Sequence, residues 1–348
     1  MTRQCKREAW LDALRILASF LVIVNHTNSL VFKEHSQPGQ AVWWLSIGLY
    51  YISKIAVPLF VMVSGACLLG RQESWRRALG RFGRVLAALL VFSYLYFLHD
   101  CWVNYGLWPR MLRLDLVLWD VWTQQVSDGF WYLYFYLGLM LMLPLLQRLA
   151  ASMRDRDYGW MLGLCLGLDC VFPLLSHYLP GLALPDYLQA PLYTGYLGLF
   201  FAGYWIRARM TATPRKQAVI CLIASLLISM LLTYAEAFRA SGKYWFMDDR
   251  LHPSLFTCAA SLCVMALFKG MHPGLKGCHV LAQLGGCAFG VYLMQDWLIA
   301  QTRTRLFAPL IPVIGAFTAA LVWALAAFAL ALAAAWVMRR IPILRRIL

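Results

Sequence analysis

Charged side chains are scarce in this sequence, and acidic ones are the scarcest. Only 14% of the 348 residues are Asp, Glu, Lys or Arg, and 16 acidic residues stand against 31 basic ones. Soluble domains carry about 25% charged and about 45–50% apolar residues, whereas 61% of this chain is hydrophobic. The composition therefore excludes an ordinary soluble protein and predicts an all-α polytopic membrane protein.

Signals for cross-links, metals and additional domains are also missing. The ten cysteines include no C-x-x-C pair, and most lie within apolar segments, where they serve as small hydrophobic residues. We expect neither a disulfide framework nor a bound metal. The sequence has no internal repeat, and its loops are too short to bury a core of their own. Residues 1–348 are therefore expected to form a single transmembrane domain with no separate soluble domain.

Ten apolar segments are long enough to cross a hydrocarbon core of about 30 Å. Loops on the side of the two termini contain 21 Lys and Arg residues, and the opposite loops contain 8. Because cytoplasmic loops carry the excess of these residues, both termini are expected in the cytoplasm. The same rule explains the net charge of +15, and no basic patch suggests a nucleic-acid partner. The segments are residues 11–31, 42–70, 83–100, 131–149, 159–177, 191–207, 217–236, 253–269, 280–300 and 309–338.

The first apolar segment is the most unusual one, because it keeps charged and titratable side chains. Arg15 and His26 are eleven residues apart. At about 100° per residue, eleven steps end about 20° past three full turns, so both side chains share one helix face, about 16 Å apart. In the predicted orientation, Arg15 lies toward the cytoplasm and His26 toward the outer half. Asp12 lies near the same stripe, where it either pairs with Arg15 or marks the membrane interface.

Two explanations fit these polar residues. A charged residue in the middle of a membrane helix costs about 2.5–3.5 kcal/mol, so keeping one favours a functional role. The alternative is that Asp12 and Arg15 lie among the lipid headgroups on one side and His26 at the opposite interface. The functional explanation makes His26 a general base, since histidine changes its charge near neutral pH.

A basic cluster that includes Arg77, Arg81 and Arg84 precedes the third segment. The general excess of positive charge in cytoplasmic loops is one explanation. A more specific one is a clamp for phosphate groups, since a guanidinium binds phosphate oxygens in a bidentate way and Arg81 and Arg84 are neighbours at i and i+3. Pro58 and Ser64-Gly65 in the second segment fit close helix packing, and Ser64 is also a candidate for holding a carbonyl group.

Two stretches on the predicted outer side are rich in aromatic residues. Residues 111–125 alternate apolar and charged side chains and are expected to form an amphipathic helix at the interface. Residues 236–252 have a composition that suits sugar recognition, although the aromatic belts of membrane interfaces are the commoner cause.

Six short segments follow one another in a characteristic order along nearly the whole chain. In that order and spacing they resemble acyltransferase family 3 of bacterial membrane proteins. The closest resemblance is to members that O-acetylate a surface polysaccharide precursor, such as the enterobacterial common antigen O-acetyltransferase. The segments are Asp12-x-x-Arg15 with His26, Pro58 to Gly65, Arg81-x-x-Arg84, Trp131-Tyr132-Leu133, Gly198 to Tyr204, and Phe289 to Gln295.

The resemblance implies a membrane O-acyltransferase in the bacterial inner membrane. Its co-substrate would be acyl-coenzyme A, with acetyl as the expected acyl group and no permanently bound cofactor. The acceptor would be a hydroxyl of a glycan or lipid-linked sugar. His26 and Arg15 would be catalytic, with His26 as base or as covalent acyl carrier. Arg77, Arg81 and Arg84 would bind the phosphates of acyl-coenzyme A. The supporting residues would be Asp12, Asn25, Ser64, Trp131, Tyr132, Tyr292 and Gln295.

Two departures from the family pattern concern histidines. Gly129-Phe130 stands where the family often has His-Leu, and Gln295 stands where it often has His. A role for these two histidines therefore does not transfer to this chain. The alternative to an enzyme is a transporter or flippase for a glycan or lipid intermediate, since many helices with intramembrane charges suit it too. Against it, no paired helices broken by Gly or Pro are evident in corresponding halves.

Overall fold

The computed structural model describes residues 8–105, 111–123, 126–182, 195–212, 214–239, 254–271 and 274–348. All regular elements within these residues are helical. The α-helices in chain order are α1 (Ala9–Glu34), α2 (Ala41–Lys54), α3 (Ala56–Leu68), α4 (Trp75–Asp100), α5 (Leu114–Thr123), α6 (Trp131–Ser152), α7 (Asp155–Leu166), α8 (Phe172–Tyr178), α9 (Gly195–Ala208), α10 (Arg215–Arg239), α11 (Leu255–Lys269), α12 (Leu275–Gly285), α13 (Ala288–Thr302), α14 (Ala308–Ile314), α15 (Ala316–Met338) and α16 (Pro342–Ile347).

Seven helical stretches within the described residues are long and apolar enough to cross a membrane. They confirm a polytopic membrane protein, and each coincides with one of the ten predicted segments. The other three segments correspond to α9, to the short apolar helix α11, and to a pair bent by 51° between Lys276–Gly285 and Ala288–Ile314. The count of ten and the cytoplasmic position of the termini stay predictions. The seven are Ala9–Glu34, Ala41–Leu68, Trp75–Val103, Asp128–Ser152, Asp155–Tyr178, Arg215–Ala237 and Ala316–Met338.

Several predicted segments differ from the helices in their bounds or continuity. The second segment is interrupted at Ile55, because Pro58 has no N–H to donate to the carbonyl four residues earlier. The last one is divided at Gly315, whose φ of 78° only glycine adopts readily. Helix α4, which corresponds to the third predicted segment, begins at Trp75 instead of residue 83. The basic cluster therefore lies on a helix and not in a loop.

The outer stretches are only partly described. Helix α5 confirms the predicted helix within residues 111–125, and it buries Val117 and Val121 while leaving Trp119 and Trp122 exposed. This one-sided burial is what an amphipathic interfacial helix requires. The aromatic stretch 236–252, whose composition fits either sugar recognition or an interfacial aromatic belt, lies outside the described residues from residue 240 onward.

Helix α1 lies at the centre of the bundle. It packs against α2, α3, α12, α13 and α15, and Leu14, Ala18 and Ile23 have no more than trace exposure. In a membrane, such contacts stabilise a fold mainly through van der Waals packing, because lipid tails are as apolar as the side chains they replace. The central position places the predicted polar stripe of α1 inside protein and not against lipid.

The most extensive helix pair is α3 with α9, and glycine permits its closeness. A Cβ atom at Gly65 would clash with the backbone of Phe200, and one at Gly203 would clash with the backbone of Met62. Small residues at helix crossings are the usual means by which membrane helices bring their backbones into contact. The crossing holds α3, and with it Phe60 and Ser64, against the rest of the bundle.

We expect Gly203→Ala to destabilise the protein by about 1–3 kcal/mol, because the added methyl group forces two backbones apart. Thermal unfolding in detergent measures the effect as a lower Tm. Gly138→Ala is the matched control, since Gly138 is exposed on α6 and its added Cβ meets no atom within 4 Å. An equal Tm for the two variants would contradict the close crossing.

Candidate active site

Arg15 and His26 open into two cavities that lie next to each other inside the bundle. The Arg15 cavity has a volume of about 470 Å³ and the His26 cavity about 180 Å³. Phe60, Tyr132 and Tyr292 line both cavities. Their ring centroids are 6.2 Å apart for Phe60 and Tyr132 and 5.8 Å apart for Tyr132 and Tyr292. We call these three rings the aromatic neck.

The larger cavity is lined by four guanidinium groups, and two of them are neutralised by the protein. Arg15 donates to Asp12 Oδ1 at 2.5 Å and to Cys67 Sγ at 3.0 Å, so the structure pairs Asp12 with Arg15. Arg81 donates two hydrogen bonds to the Glu73 carboxylate, one of 3.0 Å from Nε and one of 2.7 Å from Nη2. The Arg81 hydrogen bonds also hold the pKa of the Glu73 carboxyl below its usual range.

The other two guanidinium groups, those of Arg84 and Arg339, have no acidic partner among the residues that the structure describes. Arg339 donates to the Gln283 carbonyl at 3.3 Å and contacts Cys287 Sγ at 3.6 Å. The cavity therefore holds uncompensated positive charge on α4 and at the end of α15. Arg77 and Arg84 are both exposed, but Arg77 is not part of the cavity wall.

The predicted phosphate clamp paired Arg81 with Arg84, and the structure gives Arg81 a different partner. The spacing of Arg81 and Arg84 suggested that the two would act together, but Glu73 already occupies Arg81. Arg339 lines the same cavity as Arg84 and, like Arg84, has no acidic partner among the described residues. Sequence reasoning missed it because it follows the last apolar segment, where positive charge is expected anyway. No motif in the sequence indicated that the chain end folds back onto α4.

The smaller cavity brings together most of the predicted supporting residues. Asn25 accepts a hydrogen bond from Ser53 Oγ at 3.2 Å, and Trp131 and Gln295 complete the wall opposite His26. Tyr292, from the aromatic neck, donates its hydroxyl to the Gly129 carbonyl. Ser64 lies on the other side of the neck, in the Arg15 cavity.

Asp296 is a site residue that sequence reasoning did not identify. Its Oδ1 lies 3.9 Å from His26 Nε2. Its Oδ2 accepts hydrogen bonds from Ser127 Oγ at 2.6 Å and from the Gly129 backbone N–H at 3.1 Å. At 3.9 Å the carboxylate is beyond hydrogen-bond distance from the ring, and it is placed to stabilise the protonated imidazole by its charge.

Gly129 leaves room for this carboxylate. A Cβ atom at residue 129 would clash with Asp296 Oδ2, so no larger side chain fits while Asp296 keeps its place. This contact gives a physical reason for one departure from the family pattern. The chain has glycine at 129 because the carboxylate from α13 occupies the space that a histidine side chain would need.

Tyr96 shapes the backbone beside Asp296. Its hydroxyl donates to the Leu293 carbonyl at 3.1 Å and accepts from the Trp297 N–H at 3.1 Å. These two backbone groups would bond to each other in a regular helix, so the hydroxyl is inserted into the helical ladder. Tyr96 thereby ties α4 to the turn of α13 that carries Gln295 and Asp296.

A third cavity, of about 310 Å³, lies on the far side of His26. Its wall includes Asp296, Ser127, Asp128 and Arg303, and the last of these pairs with Glu34 at 3.1 Å. His26 lines this cavity as well as the smaller one, and its side chain is 39% exposed. An imidazole in that position reaches both the neck and the far side.

The arrangement combines a cavity lined by guanidinium groups with an imidazole that lies beside a carboxylate. Uncompensated guanidinium groups bind phosphates, and an imidazole beside a carboxylate takes protons from hydroxyl groups. Within the described residues, no group of three or more His, Cys, Asp or Glu side chains could hold a metal ion.

Comparison with known proteins gives one family. Searches of curated proteins and of solved structures found no match. A sequence model described as an acyltransferase domain matches residues 8–340, nearly the full length, and it covers α1, the aromatic neck and every residue of the three cavities except the last helical turn. The chain belongs to this family of membrane acyltransferases, acyltransferase family 3.

Proposed function

We propose that this protein transfers an acyl group from cytoplasmic acyl-coenzyme A to a hydroxyl group on the outer side of a bacterial inner membrane. The acyl group is expected to be acetyl, and the acceptor a surface polysaccharide or a lipid-linked sugar. The observation that carries the proposal is the pair of cavities on α1, one lined by arginine and one by His26, divided only by the aromatic neck.

The Arg15 cavity is suited to the donor. Its volume of about 470 Å³ falls in the range of about 300–1,000 Å³ that is usual for small-molecule sites. Coenzyme A carries several phosphate charges, and Arg84 and Arg339 are the guanidinium groups left to bind them. Arg15, neutralised by Asp12, lines the same cavity and offers its remaining N–H groups as hydrogen-bond donors.

The His26 cavity is suited to the acyl group alone. At about 180 Å³ it is below the usual range for a whole ligand. The acyl end of the donor would pass Phe60, Tyr132 and Tyr292 while the nucleotide end stays among the arginines. The acceptor hydroxyl would come from the third cavity, where Asp128 and Arg303 offer hydrogen bonds to a sugar.

In the proposed reaction, His26 acts as the general base because it lies between the small cavity and the third cavity. The imidazole takes the proton of the acceptor hydroxyl, the oxygen attacks the thioester carbonyl carbon, and the carbon–sulfur bond breaks. The proton passes from the imidazolium to the departing thiolate, so the products are an ester and free coenzyme A. Attack by His26 itself, followed by transfer of its acyl group to the hydroxyl, uses the same groups.

Two measurements test the activity as a whole. Mass spectrometry of the surface glycan from cells with and without the protein should reveal a mass difference that names the acyl group. Radiolabelled acetyl-coenzyme A supplied to the cytoplasmic face should label the glycan. Glycan that is exported without label or mass change would point to a transporter instead.

We expect His26→Ala to lower acyl transfer by about 10²–10⁴-fold, the usual contribution of a general base. The variant should insert into the membrane in normal amounts, which immunoblotting of membranes measures. His279→Ala is the control, since His279 is exposed on α12 and lines none of the three cavities. Full activity in His26→Ala would show that His26 takes no part in the reaction.

Arg84→Ala should raise the KM for acetyl-coenzyme A by about 10- to 100-fold, as expected for the loss of one charge-assisted hydrogen bond to phosphate. The kcat at saturating donor should change much less. Arg77→Ala on the same helix removes an equal charge outside the cavity and should leave KM unchanged. Equal effects of the two substitutions would mean that the basic cluster serves only membrane orientation.

Gly129→Ala should lower acyl transfer by about 10²-fold, because the added methyl group displaces the Asp296 carboxylate from Ser127 and His26. Gly138→Ala, the exposed glycine on α6, provides the control for a general effect of glycine replacement. The assay is label transfer at saturating acetyl-coenzyme A. Unchanged transfer in Gly129→Ala would indicate that Asp296 has no part in stabilising the protonated His26.

A further inference from the structure

Gln295 is an unusual buried side chain. It is 1% exposed, and neither its amide oxygen nor its amide nitrogen has a hydrogen-bond partner among the described residues. Leaving a buried polar group unpaired costs about 1–3 kcal/mol, so such groups are rare in native proteins. Gln295 is one of the residues that line the His26 cavity.

Gln147 provides the contrast within the same protein. It is fully buried on α6, and its amide nitrogen donates to the Leu68 carbonyl at 2.8 Å while its amide oxygen accepts from the Glu73 N–H at 3.0 Å. That side chain is a structural connector between α6 and the loop after α3. Gln295 has the same chemistry and the same burial but makes no such connection.

Two other polar groups of the small cavity already have partners in the protein. Ser53 donates to the Asn25 amide oxygen, and the Tyr292 hydroxyl donates to the Gly129 carbonyl. Gln295 lies one turn after Tyr292 on α13, and both residues line this cavity. Unlike these two groups, the Gln295 amide has N–H groups that no described residue engages, so they are available to a reacting group.

We infer that the Gln295 amide donates a hydrogen bond to the thioester carbonyl oxygen and stabilises the negative charge that forms on it. This inference rests on the proposed acyl transfer. When the acceptor oxygen bonds to the carbonyl carbon, the electron pair of the C=O bond moves onto the carbonyl oxygen, and His26 holds the acceptor's proton. The pair then returns, the carbon–sulfur bond breaks, and the thiolate takes the proton from His26.

The same donor serves direct transfer and transfer through an acyl-histidine, because both pass through a tetrahedral oxyanion. Donors of this kind act strongly in a site without water, where they are fixed before the reaction begins. The unpaired amide is then a cost to the resting protein that becomes a gain only in the transition state. Gln295 is accordingly a catalytic residue and not a packing residue.

The test compares Gln295→Leu with Gln147→Leu in membranes that contain the glycan, using radiolabelled acetyl-coenzyme A. Gln295→Leu should lower kcat by about 10²–10³-fold with the KM for acetyl-coenzyme A unchanged within about twofold. Its Tm should be equal to or above that of the wild type, since an unpaired polar group is removed. Gln147→Leu should instead lower the Tm.

A spectroscopic measurement isolates the hydrogen bond itself. In the His26→Ala background, which binds the donor without consuming it, the infrared carbonyl stretch of bound acetyl-coenzyme A should lie at lower frequency than in His26→Ala combined with Gln295→Leu. Gln295→His keeps an N–H donor and should recover part of the lost kcat, while Gln295→Met, which keeps the length but no donor, should not.

Three results would overturn the inference. They are wild-type kcat in Gln295→Leu or Gln295→Met, a lowered Tm that accounts for the lost activity, and an identical carbonyl frequency in the two infrared samples. A wild-type protein that transfers label from no acyl-coenzyme A would instead contradict the proposed function, and the two failures are therefore distinguishable.

Discussion

The ion pair between Arg15 and Asp12 is the interaction on which the rest of this structure depends. An unpaired guanidinium inside a membrane bundle is costly, and removing one partner of a buried pair costs about 3–5 kcal/mol. Asp12 meets this requirement from one turn away at 2.5 Å. The central helix can therefore carry a cation within the bundle, and the remaining helices pack around a polar stripe instead of excluding it.

The same requirement separates structural polar groups from functional ones. Arg81 with Glu73, and Gln147 with the loop after α3, satisfy each other within the protein. Arg84 and Arg339 lack acidic partners among the described residues, and the buried Gln295 amide lacks any hydrogen-bond partner there; all three residues line a cavity. A buried polar group without a match in the protein is expected where a ligand supplies the match.

The sequence predicted the helical membrane class, the face shared by Arg15 and His26, and the family, because each follows from composition, helical period or motif order. It could not predict that Glu73 pairs with Arg81, since Glu73 lies in the loop before α4 and contacts such as the one with Gln147 set the position of that loop. Sequence reasoning also did not identify Asp296, because its hydrogen bond with the Gly129 backbone joins two segments that are distant in the sequence. The interruptions at Ile55 and Gly315 come from single residues inside otherwise continuous apolar runs.

The aromatic neck has a consequence for the membrane as well as for the reaction. A protein that offered one continuous water-filled path between two aqueous compartments would let protons leak and dissipate the ion gradient on which a cell depends. The rings of Phe60, Tyr132 and Tyr292 form a wall shared by the two cavities. In the proposed transfer, these rings would limit the passage of water and protons while an acyl group moves past them, so that the bilayer stays electrically insulating.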